Sequence, residues 1–309
     1  MNVYVYPTDR EWFQFLSREQ NLDEVNFWRP GGRQAFRQLN SGDLFLFRLG
    51  KPDDAIVGGG TYTHFSFASI QQVWDAFGRK NGSPDYDTFQ RLIAKYKDLE
   101  STPDQVAATT IGCIVLTAPF FLPRERWLRV PVEYGTHNQQ GRRFDAGTRV
   151  ATSLVAAVSE AVASSAPRRV AEAAVTEMRF GEYVVRQRMG QGGFSLMVAD
   201  AYGRRCAVSG ERTLPVLESA HIVPVSRGGL HRPENGLMLR SDIHKLFDQG
   251  YVTIRPNGQF TVSDRLRKDW HNGRIYYELD ARPTFLPSEA SLRPGREALE
   301  WHNDVIFKG

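Results

Sequence analysis

The first half of the chain alternates short apolar runs with amphipathic stretches, a pattern typical of a domain that mixes strands and helices. Runs rich in branched and aromatic residues predict strands over Asn2–Tyr6, Asp43–Leu49, Ala55–Phe67 and Thr109–Phe121. Trp127–Val132 is expected to pair onto the last of these. Apolar positions at helical spacing predict helices over Glu11–Arg18, Ile70–Phe77 and Tyr86–Lys97.

Two glycine-containing segments interrupt this pattern. Phe27–Gly32 reads FWRPGG, which is turn chemistry, so Phe27 and Trp28 are expected to be exposed in a loop. Gly58–Gly60 lies inside a predicted strand. Glycine is costly there unless it forms a bulge or lets another group approach the backbone closely.

The composition changes near residue 150, where an Ala- and Ser-rich stretch occupies residues 151–166. Such a stretch suits a connecting helix that faces solvent or packs lightly. We therefore expect one domain at residues 1–150, a linker helix at 151–178 and a second domain at 179–309. A length of 309 residues agrees with two domains, at roughly 100–200 residues each.

Charge and cysteine content narrow the possible partners and sites without identifying one. Lys and Arg number 39 and Asp and Glu number 35, a formal net charge of +4 that permits an anionic partner without proving one. Two isolated cysteines provide neither a disulfide framework nor a CxxC zinc pair. The sequence has no signal-peptide pattern and no apolar run long enough to cross a bilayer, so we expect a cytoplasmic protein without a membrane partner.

The most informative segment is Cys206–Tyr251, which contains ESAHIVP, ENGLMLR and SDIHKLFDQGY. Its pattern predicts a strand over Val216–Val223, a Gly- and Arg-rich loop, a second strand and a helix that begins near His244. His221, Asn235 and His244 follow one another at separations of 14 and 9 residues.

These three side chains supply groups that phosphodiester hydrolysis needs. A neutral imidazole with an ordinary pKa of about 6.5 is a suitable base near neutral pH, and His221 stands on a rigid strand. A metal ion needs a ligand on a facing element, which His244 can provide. Asn235 can hold the His221 ring or pin the loop over it. Because strand residues alternate between faces, Glu218 points away from His221 and is expected to have another role.

The segment resembles the HNH nuclease family, whose ββα-metal fold holds one divalent cation, in the form found in bacterial restriction-type proteins. The resemblance extends across residues 180–309. It implies that His221 is the general base, that Asn235 is the central Asn and that His244 binds the metal.

The second metal ligand is left open by the resemblance. Many members of the family carry Asp or His directly before the base, where this chain has Ala220. Glu218 and Asp242 are the candidates, although Asp242 also suits a helix N-cap.

Further polar residues flank the predicted site. Asp248 lies one helical turn after His244 and is expected to support that histidine or to pair with a nearby Arg. Arg240 and Lys245 are candidates for phosphate contacts. His231 lies in the loop and is expected to be solvated.

The order of elements in the first half resembles the PUA-like barrels, which include the EVE, ASCH and SRA modules. Several of these take up a flipped, modified base in an aromatic pocket. Trp28, Tyr62 and Trp127 are therefore candidate base-stacking residues, with Phe27 beside them. The fold class expected is α+β: a PUA-like β-barrel with helices, a linker helix and a C-terminal ββα-metal nuclease domain.

Together these features predict a DNA endonuclease that hydrolyses phosphodiester bonds with one divalent metal and restricts foreign DNA, such as phage DNA, that carries modified bases. Mg²⁺ is the expected ion, with Mn²⁺, Ni²⁺ and Zn²⁺ as alternatives. The expected partner is double-stranded DNA with modified cytosine, and double-strand cleavage favours a homodimer. Two other hypotheses stay open: an HNH effector triggered by a small-molecule signal, and a DNA-binding sensor without catalysis.

Overall fold

A computed structural model of the chain describes residues 1–31, 34–97, 103–135, 140–165 and 189–309. It divides into two compact units, Met1–Gly193 and Phe194–Gly309. The predictions for residues 166–178 of the linker helix and 179–188 of the second domain lie outside the described residues. Both units mix helices and strands, so the α+β class is confirmed.

The first unit is built on one sheet. Its strands follow the order β2-β5-β4-β3-β1-β7, with β6 paired to β4. β1 and β3 are parallel, and the other pairs are antiparallel. The strands are β1 (Val3–Pro7), β2 (Glu24–Arg29), β3 (Leu44–Leu49), β4 (Ala55–Ser69), β5 (Thr110–Phe121), β6 (Leu128–Arg129) and β7 (Arg142–Phe144).

This sheet is open rather than closed. Within the described residues, β2 pairs with β5 alone and β7 pairs with β1 alone, so two edges remain. The predicted barrel is therefore not confirmed. Closure depends on which strands meet at the ends of a sheet, and that is decided by residues far apart in the chain.

The segment predicted as an aromatic loop is a strand. Phe27 and Trp28 lie in β2 and are 7% and 9% exposed, so the prediction that they are exposed in a loop was wrong. Trp28 lies opposite Cys113 of β5, and its indole N–H donates to the carbonyl oxygen of Asn81 at 3.0 Å. Pairing with a distant strand, and not the local Pro-Gly chemistry, determines the conformation here.

The three glycines of β4 allow neighbouring strands to approach. A Cβ atom on Gly58 would lie 2.4 Å from the carbonyl oxygen of Phe120, and one on Gly59 would lie 2.5 Å from that of Phe45. The register with β5 shifts between Gly59 and Thr61. Of the two explanations considered for these glycines, the geometry matches a bulge with close strand packing.

Helices cover the sheet of the first unit. They are α1 (Arg10–Leu16), α2 (Ile70–Phe77), α3 (Tyr86–Lys97), α4 (Pro103–Ala108) and α5 (Arg149–Ser165). Asp9 caps α1, because its side chain accepts the N–H of Trp12. The Ala- and Ser-rich α5 contributes buried side chains to the core formed with β1 and β3: Ala151, Leu154, Val158, Ala161 and Val162. These side chains form an apolar stripe at helical spacing, so α5 packs into the core of the first unit.

The second unit carries a short hairpin followed by a helix. α6 (Gln191–Ala201) contains the division between the units, and from Phe194 onward it belongs to the second. β8 (Leu217–His221) and β9 (Gly236–Arg240) pair antiparallel and lead into α7 (Ser241–Asp248). The remaining elements are β10 (Val252–Ile254), β11 (Phe260–Val262), α8 (Asp264–Trp270), α9 (Arg274–Tyr277) and α10 (Arg296–Val305).

A buried histidine near the end of the chain braces this arrangement. His302 stacks on Phe247 of α7 with ring centroids 3.6 Å apart, and its Nε2 donates to the Phe247 carbonyl at 3.0 Å. Its Nδ1 then accepts the hydroxyl of Thr253 at 2.9 Å. Burial lowers the pKa of His302 to about 4, so it is a neutral structural residue. No described helix is long and apolar enough to cross a membrane.

Candidate active site

The β8–β9 hairpin separates two groups of polar side chains. Glu218 pairs with Leu239 and His221 pairs with Gly236, and strand alternation sends Glu218 and His221 to opposite faces. Gly236 leaves room for helix α6, because a Cβ atom there would lie 2.4 Å from Val198. The hairpin can therefore pack closely against α6 behind His221.

His221 is held between an aromatic ring and a second histidine. Its ring stacks on Phe194 with centroids 4.0 Å apart and planes 12° apart. Its Nε2 lies 3.0 Å from Nδ1 of His231. Burial lowers the pKa of His221 to about 4, with smaller contributions from the charges of His231 and His244, so this imidazole is neutral at pH 7.

His244 lies between two carboxylates. Its Nδ1 is 2.6 Å from Oε2 of Glu218, and its Nε2 is 3.4 Å from Oδ2 of Asp248, one helical turn away. Strand β8 and helix α7 thus bring Glu218 and Asp248 to the same histidine, from either side of its ring. Glu218 and Asp248 are about half exposed, which leaves this group open to a ligand.

Asn235 pins the loop that connects the two strands. Its Oδ1 accepts the N–H of Val223 at 2.8 Å, and its Nδ2 donates to the carbonyl oxygens of Val223 at 2.9 Å and Leu230 at 3.1 Å. Its side chain is 8% exposed. Of the two roles considered for it, these contacts match the pinning of the loop.

Asp242 has other partners than His244. Arg240 binds its carboxylate with two hydrogen bonds of 2.6 and 2.8 Å, and the hydroxyl of Tyr276 donates to it at 3.1 Å. The Arg240 guanidinium holds the pKa of Asp242 below its usual range. Helix α7 begins at Ser241, so Asp242 lies in its first turn and is not the N-cap. Arg240 is engaged with this carboxylate, whereas Lys245 is exposed on α7.

The described residues contain no group of three or more His, Cys, Asp or Glu side chains arranged around one ion. Glu218 and Asp248 meet different nitrogens of His244, so all three cannot surround a single metal. Glu218 and His244 form a two-residue set of oxygen and nitrogen donors. The carboxylate of this set suits Mg²⁺ or Mn²⁺, whereas the imidazole suits softer ions such as Zn²⁺ or Ni²⁺.

A separate aromatic pocket lies in the first unit. This cavity of about 350 Å³ is lined by Tyr6, Pro7, Thr8, Asp9, Trp12, Phe27, Trp28, Arg29, Pro30 and Tyr96. Trp28 is thus one of its walls. Tyr62 is buried in β4 beside Phe36, and Trp127 packs on Phe13, so neither contributes to this pocket.

Polar groups are placed among the pocket's rings. The Tyr96 hydroxyl donates to Oδ2 of Asp9 at 2.7 Å, and Oδ1 of Asp9 accepts the backbone N–H of Trp12 at 2.9 Å. Burial and the Asp9 carboxylate raise the pKa of Tyr96 to about 12, so this hydroxyl stays protonated. The indole N–H of Trp12 is buried and has no acceptor among the described residues. Arg29 adds a positive charge to the lining.

Sequence reasoning missed His231 and most of the pocket. The contact of His231 with His221 was hidden because a Gly-rich loop has no periodicity that shows where a side chain points. The one signal in the sequence was Asn235, four residues after His231, because an asparagine that pins the loop also fixes the residues beside it. The pocket draws on β1, α1, β2 and α3, whose proximity no local pattern shows.

Comparison with known proteins gives one match at the level of families. Residues 206–255 match the family described as HNH endonuclease. No curated protein matches the chain. Among solved structures, the chain is similar to ASCH from Zymomonas mobilis, with 12% identity and a TM-score of 0.35 over 50% of this chain and 94% of that one. It is also similar to the modification dependent TagI restriction endonuclease, with 12% identity and a TM-score of 0.28 over 99% of this chain and 81% of that one. Residues 206–255, which contain the hairpin, the loop and helix α7, are an HNH endonuclease domain.

Proposed function

We propose that the protein is a metal-dependent DNA endonuclease that cuts with its second unit and selects modified DNA with its first. The observation that carries the proposal is the HNH domain itself. In it a neutral His221 stands on a strand, and the His244–Glu218 pair lies near enough for the charge of His244 to lower the pKa of His221. A base and a metal-binding pair are the two elements that hydrolysis of a phosphodiester requires.

In this proposal His221 takes a proton from the attacking water. Its neutral state at pH 7 leaves it able to accept that proton, and its stacking on Phe194 holds the ring in one plane. Asn235 acts through the backbone, because it holds the loop in place beside the strand that carries His221. Lys245 is exposed and available for a phosphate oxygen, whereas Arg240 must share its guanidinium with Asp242.

Glu218 and His244 would hold the divalent ion, for which Mg²⁺ or Mn²⁺ suits the donor set. When bound, the ion would stabilise the negative charge of the phosphate and of the leaving oxygen. Glu218 is preferred over Asp242 as the second ligand, because it meets His244 directly whereas Asp242 is bound by Arg240 and Tyr276. Asp248, on the other ring nitrogen, would orient His244.

The aromatic pocket supports a role in base recognition for the first unit. Aromatic rings provide stacking surfaces worth about 1–3 kcal/mol per base, which offsets the cost of taking a base out of the duplex. The Asp9 carboxylate has lone pairs left for the amino group of a cytosine. Modified cytosine is the base proposed, which makes restriction of modified foreign DNA the biological role. Pairing of two chains for double-strand cleavage stays a prediction.

The nuclease activity is tested by plasmid cleavage in Mg²⁺ or Mn²⁺, with EDTA as the metal-free control. We expect metal-dependent nicking that His221→Ala lowers by at least about 1,000-fold. His271→Asn, a change at an exposed histidine at the end of α8, is the matched control and should cut at the wild-type rate. DNA binding without cleavage in any metal would refute the proposal and favour the non-catalytic sensor.

Base recognition is tested by binding to paired duplexes that differ only in one modified cytosine. We expect the wild type to bind the modified duplex at least about 10-fold more tightly, and Tyr96→Ala to lose that preference. Tyr96 is 49% exposed, so the substitution perturbs the core little. Equal affinity of the wild type for both duplexes would reject base recognition and leave a ligand-gated effector as the hypothesis to test.

A further inference from the structure

Two neighbouring rings constrain the imidazole of His221. Phe194 covers one face of the imidazole, and His231 meets its Nε2 edge. Among the side-chain hydrogen bonds of the described residues, the one to His231 is the only one made by the His221 ring. Its Nδ1 is therefore the nitrogen left for water or substrate.

The hydrogen bond to His231 restricts where the proton of His221 can be. A neutral imidazole carries one N–H, and the other nitrogen is an acceptor. Burial lowers the pKa of His221 to about 4, so the ring has a single proton at pH 7. If that proton were on Nδ1, which faces away from His231, Nδ1 could not accept a proton from water. If it is on Nε2, the N–H donates to Nδ1 of His231 and Nδ1 of His221 is an open base.

We infer that His231 is a positioning residue for His221: its Nδ1 accepts the Nε2 proton of His221 and thereby keeps Nδ1 of His221 as the proton acceptor of the reaction. This inference rests on the proposed function, in which His221 is the base. It assigns His231 the tautomer protonated on Nε2, since its Nδ1 is the acceptor.

The surrounding contacts hold His231 in the place that this role requires. Its ring lies 5.0 Å from the His221 ring at an angle of 65° and 5.8 Å from that of Phe194. The preceding residue, Leu230, has its carbonyl oxygen bound by the buried side chain of Asn235. The loop is thus fixed next to His231, which explains how a loop residue maintains a hydrogen bond to a strand residue.

The same hydrogen bond serves after proton transfer. Water gives a proton to Nδ1 of His221 while its oxygen bonds to phosphorus and the bond from phosphorus to the leaving oxygen breaks. The leaving oxygen takes a proton from solvent. His221 is then an imidazolium whose Nε2–H still donates to His231, and a hydrogen bond from a charged donor is stronger than a neutral one. The hydrogen bond therefore holds the ring in the same orientation before and after proton transfer.

Two substitutions separate this role from simple packing. Asn places an amide oxygen near the position of the histidine Nδ1, so His231→Asn keeps an acceptor, whereas His231→Ala removes it. In metal-dependent cleavage under steady-state conditions we expect His231→Ala to lower kcat about 100-fold with KM unchanged, and His231→Asn to lower it about 5-fold. The thermal midpoints of both variants verify that they are folded.

A second measurement does not depend on activity. In the ¹⁵N spectrum of the histidine-labelled full-length protein at pH 7 without metal, His221 should be protonated on Nε2, and His231→Ala should produce a mixture of tautomers. His221 protonated on Nδ1 in the wild type overturns the inference. So does equal activity of the Ala and Asn variants. If the wild type and every variant fail to cut DNA, the proposed function fails, and the spectrum still decides where the proton lies.

Discussion

The HNH site and the aromatic pocket are built in opposite ways. The histidines, the asparagine and the carboxylates of the proposed nuclease site lie between Glu218 and Asp248, on one hairpin, one loop and one helix. The pocket instead collects residues from β1, α1, β2 and α3, with Tyr6 and Tyr96 at its ends in sequence. A site made from one continuous segment keeps its spacing in the sequence, whereas a pocket made from distant segments does not. The first is therefore recognisable in a single sequence and the second is not.

The structure of the HNH domain shows that this local segment still depends on distant support. His302 stacks on Phe247 of α7 and accepts the hydroxyl of Thr253, although it lies in the last helix of the chain. Its folded pKa of about 4 is below the ordinary value of 6.5. The folded state thus binds fewer protons than the unfolded state between these two pH values.

The largest expected effect is therefore an acid destabilisation. The free energy of unfolding is unaffected by His302 above about pH 6.5 and falls by roughly 3 kcal/mol as the pH drops to about 4. Chemical denaturation at a series of pH values measures this fall, and His302→Gln, which cannot titrate, should reduce the slope in this window. A slope identical in the two proteins would show that His302 does not brace the domain.

Asn235 tests how firmly the segment holds its own loop. Asn235→Ala removes three hydrogen bonds to Val223 and Leu230 and should lower the free energy of unfolding by about 2 kcal/mol. The rate of cleavage should fall as well, because Asn235 holds the carbonyl of Leu230 and His231 is the next residue in the same loop. The exposed Gln249→Ala is the control, measured by the same denaturation, and should cost less than about 0.5 kcal/mol. A similar small cost at Asn235 would mean that the loop is held by other contacts.

The choice between Glu218 and Asp242 is decided by metal affinity. Calorimetric titration of Mn²⁺ into Glu218→Gln should give at least about 10-fold weaker binding than in the wild type, because a charged ligand is lost. Asp242→Asn should bind within about 2-fold of the wild type, since Asp242 is already bound by Arg240 and Tyr276. The reverse order of affinities would make Asp242 the ligand.

The smallest effect expected concerns a single hydroxyl of the pocket. Tyr96→Phe removes its hydrogen bond to Asp9 and should weaken binding of modified DNA about 3- to 5-fold, as measured by fluorescence anisotropy. Tyr62→Phe removes a hydroxyl from a tyrosine outside the pocket and should change the affinity by less than about 2-fold. A larger loss for Tyr62→Phe would place base recognition elsewhere in the first unit.

The same contrast explains what sequence could predict. The hairpin and helix follow from the alternation around His221 and the helical spacing after Ser241, both of which are local. The prediction that Trp28 lies in a loop was wrong. Pro30 and Gly31 indicated a turn, but the pairing of Trp28 with Cys113 of β5 makes this segment a strand. The open sheet escaped prediction for the same reason. Within the HNH domain, the orientation of the His231 side chain could not be predicted, because an irregular loop has no periodicity that shows which way its side chains point.

The division of labour between the units is tested most directly by one ratio: the rate of cleavage of a duplex with one modified cytosine over that of its unmodified twin. We predict a wild-type ratio of at least about 10, which Tyr96→Ala lowers to about 1 while metal-dependent cutting continues. His221→Ala should cut neither duplex yet still bind the modified one preferentially. A ratio that Tyr96→Ala leaves unchanged, or metal-dependent cutting by His221→Ala, would contradict this account.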